Sequence, residues 1–201
     1  SSLRISSSRH QTQFTHQIKY STLRVREADL KVVVKEEQAF TISKRQLREK
    51  EIKKILSEFK ASYSLDEKTF SQKPKAELAE AGNEALIFIN NRPVILRKGG
   101  KLFPTLTFNE VLETLPKAVV DMGAIPHICN GADIMVPGIR SIEGTFQEGA
   151  TILIVDEKFG KNLAIGSALV NSSQMKEAKQ GKVITNIHFV GDNIWQILRQ
   201  K

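Results

Sequence analysis

Residues 119–139 read VVDMGAIPHICNGADIMVPGI, and this stretch decides the fold. Its glycines at 123, 131 and 138 separate short apolar pieces, and glycine permits positive φ or a close approach of the backbone. Asp121 stands just before a short helical segment, which it can cap. We therefore expect three bends that lie side by side and turn main-chain amides toward an anion such as phosphate.

The rest of the carboxyl-terminal region has the pattern of a small β-barrel. Short apolar segments alternate with glycines, and residues 151–155 and 163–170 are the strongest strand signals. Regularly spaced short strands with glycine turns are typical of a closed or nearly closed sheet. Because a helix and a hairpin precede this region, the sequence predicts an α+β chain.

The ordered set of motifs resembles the PUA domain family, whose members bind RNA. The match rests on 119–125 and 130–139, and Gly166 and the segment 188–195 also follow the family pattern. The resemblance implies a PUA-type pseudo-β-barrel with an RNA-contacting face made of its first helix, the glycine loop and the second strand. By that resemblance the RNA-binding residues are Gly123, Ala124, Gly131, Ala132, Asp133, Met135, Pro137 and Gly138, with Arg140 as a candidate phosphate contact.

Many of these residues also have a purely structural interpretation. Glycine and proline in a small barrel are most often turn residues, Met135 suits the core, and Asp121 suits a helix cap. Cys129 is expected to be a small buried hydrophobe, and His127 and His188 are expected to be structural, because no second ligand stands at a helpful spacing.

Upstream, Ser43-Lys44-Arg45-Gln46 has the form of a capping box, which predicts that a helix starts there. Apolar side chains follow at the i, i+3, i+4, i+7 spacing of one helix face, namely Ile52, Ile55, Leu56 and Phe59. The remaining surface is basic, which predicts a phosphate-facing surface of Lys44, Arg45, Arg48, Lys53 and Lys54. For any single lysine, a solvated helix side is the alternative.

A β-hairpin is predicted after the helix. Residues 86–89 and 93–96 are apolar and flank the turn-prone pair Asn90-Asn91. Residues 76–81 are a candidate neighbouring strand. The sequence therefore predicts a small sheet in this part of the chain.

The predicted sheet should end at Gly99-Gly100, and residues 107–115 should form a short helix. This arrangement resembles the region before the PUA domain in the family of the malignant T-cell amplified sequence protein and its archaeal relatives, which are two-domain, translation-linked proteins. The resemblance implies a small pre-PUA-like α/β domain over 31–116 and a PUA domain over 117–201. Residues 1–30 are expected to be a flexible or extraneous arm.

The chain is basic, with 30 Lys plus Arg against 22 Asp plus Glu and a net charge of +8. The surplus is concentrated in residues 1–116, with 21 basic and 14 acidic side chains, whereas 117–201 hold 9 and 8. Such a balance favours polyanionic partners, because neutralised phosphates release counterions. One cysteine and four histidines predict no disulfide, no metal site and no other cofactor.

The favoured hypothesis is a non-catalytic RNA-binding protein that recognises transfer or ribosomal RNA. The family resemblance implies a role in translation initiation or ribosome recycling, with the small ribosomal subunit or an initiation-factor-like protein as partner. Without an apolar run that could cross a bilayer or serve as a signal peptide, we expect a cytoplasmic protein and no membrane partner. DNA is not expected as a partner.

Two other hypotheses stay open. The chain could be an accessory subunit that positions RNA for a separate pseudouridine synthase or transglycosylase, because the first 116 residues hold no Asp-centred catalytic constellation. It could also be a protein-interaction module that docks through a hairpin edge or the basic helix, which is compatible with RNA binding.

Overall fold

The structure, a computed structural model, describes residues 43–71, 73–81 and 83–199. Two sheets of five and six strands with short helices make up this part of the chain, which confirms the predicted α+β class. The predictions for the arm at 1–30 and for strand character at 32–34 lie outside the described residues.

The first sheet is an antiparallel meander in which neighbours in sequence are neighbours in space. Its strands are β1 (Ser43–Gln46), β2 (Ala76–Ala81), β3 (Glu84–Ile89), β4 (Arg92–Lys98) and β5 (Lys101–Pro104). The predicted hairpin is confirmed as β3 and β4. Asn90 and Asn91 have φ of 49° and 66°, as a two-residue type I′ turn requires.

Gly99 and Gly100 do not end this sheet, contrary to expectation. With φ of +56° and +76° they form a second two-residue turn, and Lys98 pairs with Lys101 across it. A pair of glycines is equally suited to a break and to a tight hairpin turn. Here the apolar residues that follow the glycines form strand β5, which pairs with β4, so the glycines form a hairpin turn and not a break.

The first helix, α1, spans Glu49–Tyr63 and begins later than predicted. The prediction of a helix start at Ser43 was wrong, because residues 43–46 pair with β2 as strand β1. The helix start is stabilised instead by the Glu51 carboxylate, which accepts a hydrogen bond from the Arg48 N–H at 2.9 Å. The predicted apolar face is confirmed, since Ile52, Ile55, Leu56 and Phe59 are all buried.

The second sheet is an open half-barrel with strand order β7-β11-β10-β9-β6-β8. Its strands are β6 (Lys117–Val120), β7 (Ile134–Met135), β8 (Ile139–Glu143), β9 (Thr151–Asp156), β10 (Asn162–Ala168) and β11 (Lys182–Phe189). All pairings are antiparallel except that of β6 with β9. The strands predicted at 151–155 and 163–170 are therefore confirmed.

Four short α-helices and two 3₁₀ turns complete the described part. The helices are α2 (Asn109–Leu112), α3 (Ile125–Ile128), α4 (Ser172–Glu177) and α5 (Asn193–Arg199), and the 3₁₀ turns are Glu67–Thr69 and Val136–Gly138. The helix predicted over 107–115 is thus reduced to one turn. Pro116 follows it, and a proline disfavours helical backbone in the residue before it. The chain then enters β6.

Strand β9 separates two hydrophobic clusters. Leu153 and Val155 belong to the cluster that also contains the buried faces of α1 and the first sheet. Ile152 and Ile154 belong to the second cluster, inside the half-barrel. Because alternate residues of a strand face opposite sides, β9 contributes to both. Residues before and after the predicted boundary at 116 therefore share one hydrophobic core.

Tyr63, at the end of α1, links the two sheets by hydrogen bonds. Its hydroxyl donates to the Leu102 carbonyl oxygen at 2.9 Å and lies 3.0 Å from the Thr151 hydroxyl. Burial raises the pKa of Tyr63 to about 12, because the phenolate would lose its hydration there.

Substituting Tyr63→Phe should lower the free energy of unfolding by about 1 kcal/mol, the usual net value of such a hydrogen bond. A raised pKa means that the folded state holds this proton more tightly, so its contribution is fully present below the ordinary pKa of 10.0 and is lost as the pH rises toward about 12. Ultraviolet titration of the native protein should show a late tyrosine ionisation that the variant lacks. If both tyrosines of the native protein ionised near pH 10, the burial and hydrogen bonding of Tyr63 would be contradicted.

Candidate nucleic-acid interface

Between β6 and β8, which pair with each other, residues 121–138 form α3 and the short edge strand β7. The candidate site lies on this excursion. Asp121 holds the bend at 123–124, since its Oδ1 accepts a hydrogen bond from the Ala124 N–H at 2.8 Å. It does not cap α3 as expected, because the N-cap of that helix is Ala124 and no side chain caps it. The Asp121 N–H donates to the Gly138 carbonyl at 3.0 Å. A Cβ added at Gly138 would lie 3.1 Å from the Cβ of Ala124. The bends at 123–124 and 138 are therefore in direct contact.

Gly131 lies at the other end of α3, a one-turn helix about 6 Å long. Its φ is +87°, and a Cβ there would meet the Phe189 ring at 3.1 Å, so this position requires glycine. The Gly131 N–H donates to the Ile128 carbonyl, and the Ala132 N–H donates to the His127 carbonyl.

The expectation that main-chain amides are turned toward an anion is wrong at three positions. The amides of Ala124, Gly131 and Ala132 all have acceptors within the chain. An α3 of one turn needs its amides and carbonyls for its own caps, because a short helix leaves most of its backbone groups without helical partners. A ligand at this site would therefore meet its side chains and its surface shape, and not the free main-chain amides that were expected at these three positions.

The surface around α3 is formed by exposed small, apolar and neutral polar side chains. Met122 and Met135 have exposed fractions of 42% and 47%, so the interpretation of Met135 as a core residue is wrong. We define the α3 face as the exposed residues of this excursion, which are Met122, Gly123, Pro126, His127, Asn130, Gly131, Ala132, Met135 and Pro137. Exposed methionine is adaptable apolar surface, typical of contact sites.

Asp133 has a structural role beneath this face. Its Oδ1 accepts a hydrogen bond from the Asn186 N–H at 2.8 Å, and its Oδ2 lies 3.1 Å from the Lys182 ammonium. Burial acts to raise the pKa of Asp133, but the Asn186 amide and Lys182 lower it below the usual value overall. The carboxylate is thus engaged in joining the loop to β11.

Arg140 lies at the edge of the α3 face and is 59% exposed. Its guanidinium is 3.2 Å from a Glu157 carboxylate oxygen and 3.6 Å from an Asp121 oxygen. Two carboxylates therefore offset its charge, and a phosphate at this position would compete with them.

Asn186, on β11, positions the glycine loop and is a residue that the sequence did not single out. Its side-chain Nδ2 donates to the carbonyls of Ile128 and Ala132 at 3.1 and 3.0 Å. One amide thus ties the end of α3 and the following loop to the sheet. The sequence carries no local sign of this role, because its partners are more than fifty positions away.

The basic surface is not one helix side as predicted. Lys44 and Arg45 lie on β1, whereas Arg48 precedes α1 and Lys53 and Lys54 are on it. The correction follows from the strand pairing of residues 43–46. Acidic neighbours also offset part of the charge, since Arg45 contacts Glu51 at 3.0 Å and Lys53 contacts Glu49 at 2.8 Å.

Two other residues agree with their structural interpretation. His188 is fully buried, and its Nδ1 lies 2.7 Å from the Asp192 carboxylate. Cys129 is half-buried, and burial raises the pKa of its thiol, so a reactive thiolate is disfavoured. His127, in contrast, is exposed on α3.

Within residues 43–71, 73–81 and 83–199, His, Cys, Asp and Glu side chains form no group of three or more suited to bind a metal ion. In the same part of the chain, every helix is too short or too polar to cross a lipid bilayer.

Comparison with known proteins agrees with this architecture. The family model described as the PUA domain matches residues 116–190, and a domain of unknown function, DUF1947, matches residues 43–109. The uncharacterized protein MJ1432 of Methanocaldococcus jannaschii is 37% identical over 152 residues, which cover 74% of this chain and 93% of that protein. The chain belongs to this family of PUA-domain proteins. The resemblance seen in residues 119–139 is thereby confirmed.

Further relatives of this PUA-domain protein come from archaea and eukaryotes. Translation machinery-associated protein 20 of Eremothecium gossypii is 32% identical, with 60% of this chain and 66% of that protein covered. The crystal structure of a protein from Pyrococcus horikoshii covers 77% of this chain and 99% of its own, with a TM-score of 0.66 at 32% identity. A conserved PUA domain protein from Thermoplasma acidophilum gives a TM-score of 0.61 at 29% identity, covering 78% of this chain and 99% of its own.

Proposed function

We propose that this PUA-domain protein binds structured RNA, either transfer or ribosomal, through the α3 face and acts in translation without catalysing a reaction. The observation that carries the proposal is the exposure of the α3 face on a PUA fold. The name of a relative, translation machinery-associated protein 20, supports the translation role. We place the activity in the cytoplasm, in initiation or ribosome recycling, with the small ribosomal subunit or an initiation-factor-like protein as partner.

The chemistry of the α3 face suits recognition by shape. Close packing of Gly138 against Ala124 brings the two ends of the excursion together, and the exposed Gly131 and Ala132 carry little or no side chain, so an RNA backbone can approach closely there. The exposed methionines adapt to sugar and base edges. Structured RNA is recognised largely by shape and by contacts to its backbone.

The long-range attraction would come from the amino-terminal part. Its basic surplus of 21 against 14 charges includes Lys44, Arg45, Arg48, Lys53 and Lys54, which we propose as phosphate contacts. We propose that residues 1–116 supply the electrostatic attraction and residues 117–201 supply the fitted surface. Affinity should therefore fall steeply with salt.

The sharpest test uses an added negative charge on the α3 face. Ala132→Glu and Met135→Glu should each weaken binding to unfractionated transfer RNA about tenfold, since the added negative charge would face phosphate in the complex. Both positions are exposed, so the fold should persist. Gly131→Glu is less suitable, because its φ of +87° and the Phe189 contact would strain the backbone. Binding is measured by fluorescence anisotropy at several salt concentrations.

Gln147→Glu is the matched control. Gln147 is exposed near the start of β9, about 17 Å of strand away from the end that adjoins the α3 face. If all three variants bind equally, the α3 face is not the contact surface. If the wild-type protein binds neither transfer nor ribosomal RNA at low salt, the RNA-binding proposal fails. Base modification of RNA by the purified chain would contradict a non-catalytic role.

A further inference from the structure

The turn between β9 and β10 presents an exposed aromatic ring. Phe159 is 63% exposed, the highest value among the large hydrophobic side chains of the described residues. Exposure of a whole ring forgoes the free energy that burial would provide. Single exposed rings are common on protein surfaces, so the surroundings of Phe159 decide whether it is a contact site.

The turn is built to hold the ring outward. The buried carboxylate of Asp156 accepts hydrogen bonds from the amides of Lys158, Phe159 and Lys161 at 3.0, 2.6 and 2.8 Å. The Phe159 amide, followed by the others, keeps the pKa of Asp156 below its usual value. Gly160, with φ of +62°, closes the turn. Such anchoring reduces the entropy that the loop would lose on binding.

Two lysines flank the ring. The Nζ atoms of Lys158 and Lys161 lie 5.1 and 5.6 Å from the Phe159 ring centroid. The neighbouring acid, Glu157, is paired with Arg140, which it contacts at 3.2 Å. We call Lys158, Phe159 and Lys161 the Phe159 tip. It combines an aromatic face with two cations, and this chemistry binds a single nucleotide through its base and its phosphates.

The tip is continuous with the α3 face. The Glu157 side chain accepts a hydrogen bond from the Met122 N–H at 3.3 Å, and the Glu157 N–H donates to the Val120 carbonyl at 3.0 Å. An RNA lying on the α3 face would thus have the ring of Phe159 within reach at one edge.

We propose that Phe159 stacks on an unpaired base of the bound RNA, and that Lys158 and Lys161 bind the phosphates beside that base. This inference rests on the proposed RNA-binding function and adds a second contact with a different preference. The α3 face fits a paired or compact region by shape, whereas the Phe159 tip requires a base free to leave its stack. The ligand is then a stem adjoining a single-stranded segment.

A protein partner is a less suitable occupant of the same tip. Protein-binding sites are depleted of lysine at their centre and use several apolar side chains together. Here one exposed ring is flanked by two ammonium groups, which favours a polyanion.

The test compares two RNA hairpins that differ only in a short single-stranded extension. Phe159→Ala and Phe159→Leu should weaken binding of the extended hairpin about tenfold and leave the blunt hairpin unchanged, since each stacked base contributes that order of affinity. Phe159→Trp should retain binding, and its fluorescence should be quenched by the extended hairpin. Because Phe159 is exposed, none of these changes should unfold the protein. Lys176→Ser, on α4, serves as the charge control for Lys158→Ser and Lys161→Ser.

Each outcome has a distinct meaning. If the wild-type protein binds both hairpins and Phe159→Ala binds them equally well, the stacking inference is wrong and RNA binding stands. If Phe159→Leu binds the extended hairpin as tightly as the wild type, the ring acts as general apolar surface, as for a protein partner, and the inference is also overturned. If the wild type binds neither hairpin, the proposed function itself fails.

Discussion

Substitution of Gly166 by alanine is expected to destabilise the protein by about 3 kcal/mol, at the upper end of the cost of overpacking. Gly166 lies on β10 where the register with β11 shifts. A Cβ added there would collide with the Ile184 side chain and approach the Thr185 carbonyl oxygen to 2.9 Å. Ile184 is fully buried and the carbonyl belongs to the backbone, so neither can move away cheaply.

The effect can be measured by urea unfolding followed by circular dichroism. Gly149→Ala is the control, because Gly149 has a φ of +81° but no atom within 4 Å of the added Cβ. It should cost only the conformational strain, about 1 kcal/mol. If Gly166→Ala and Gly149→Ala lowered the free energy of unfolding equally, crowding between β10 and β11 would not be the reason for the glycine at 166.

The second large effect is expected for Asn186→Ala, which should cost about 2 kcal/mol of stability and also weaken RNA binding. The change leaves the carbonyls of Ile128 and Ala132 without their side-chain donor. Because these carbonyls fix the loop that carries Gly131, the α3 face would lose its shape while the sheet persists.

Two further variants test whether the effect of Asn186→Ala comes from the lost side-chain hydrogen bonds. Asn186→Asp controls for side-chain volume, and Lys182→Ala controls for loss of a neighbouring ion pair. Asn186→Asp keeps the size but places a carboxylate against two carbonyls and Asp133, so it should be at least as damaging. Lys182→Ala removes the exposed ion pair with Asp133 and should cost under about 1 kcal/mol. Hydrogen exchange of residues 128–133 provides the readout, and unchanged protection in Asn186→Ala would contradict the positioning role.

Local patterns were sufficient to predict much of this fold. The apolar run of β9 and the Asn90-Asn91 turn each specify a nearby conformation, and both predictions were confirmed. The motifs of residues 119–139 correctly predicted the PUA family. They succeeded because backbone preference and apolar periodicity act over a few residues.

Other features depend on partners that are distant in the chain. Residues 43–46 satisfy the pattern of a capping box, but pairing with β2 some thirty residues later gives the strand. Met135 has the side chain of a core residue, yet β7 places it on the surface. The engaged amides of Ala124 and Gly131, and the support from Asn186, likewise follow from tertiary contacts.

The pairing of β6 with β8 has a consequence for how RNA preference can change. Val119 lies opposite Ser141, so the sheet closes across the base of the excursion that carries α3. The exposed residues of the excursion can therefore be substituted while β6 and β8 remain paired. Under the function proposed above, substitutions in this segment would change which RNA is bound, at little cost to the stability of the sheet that carries it.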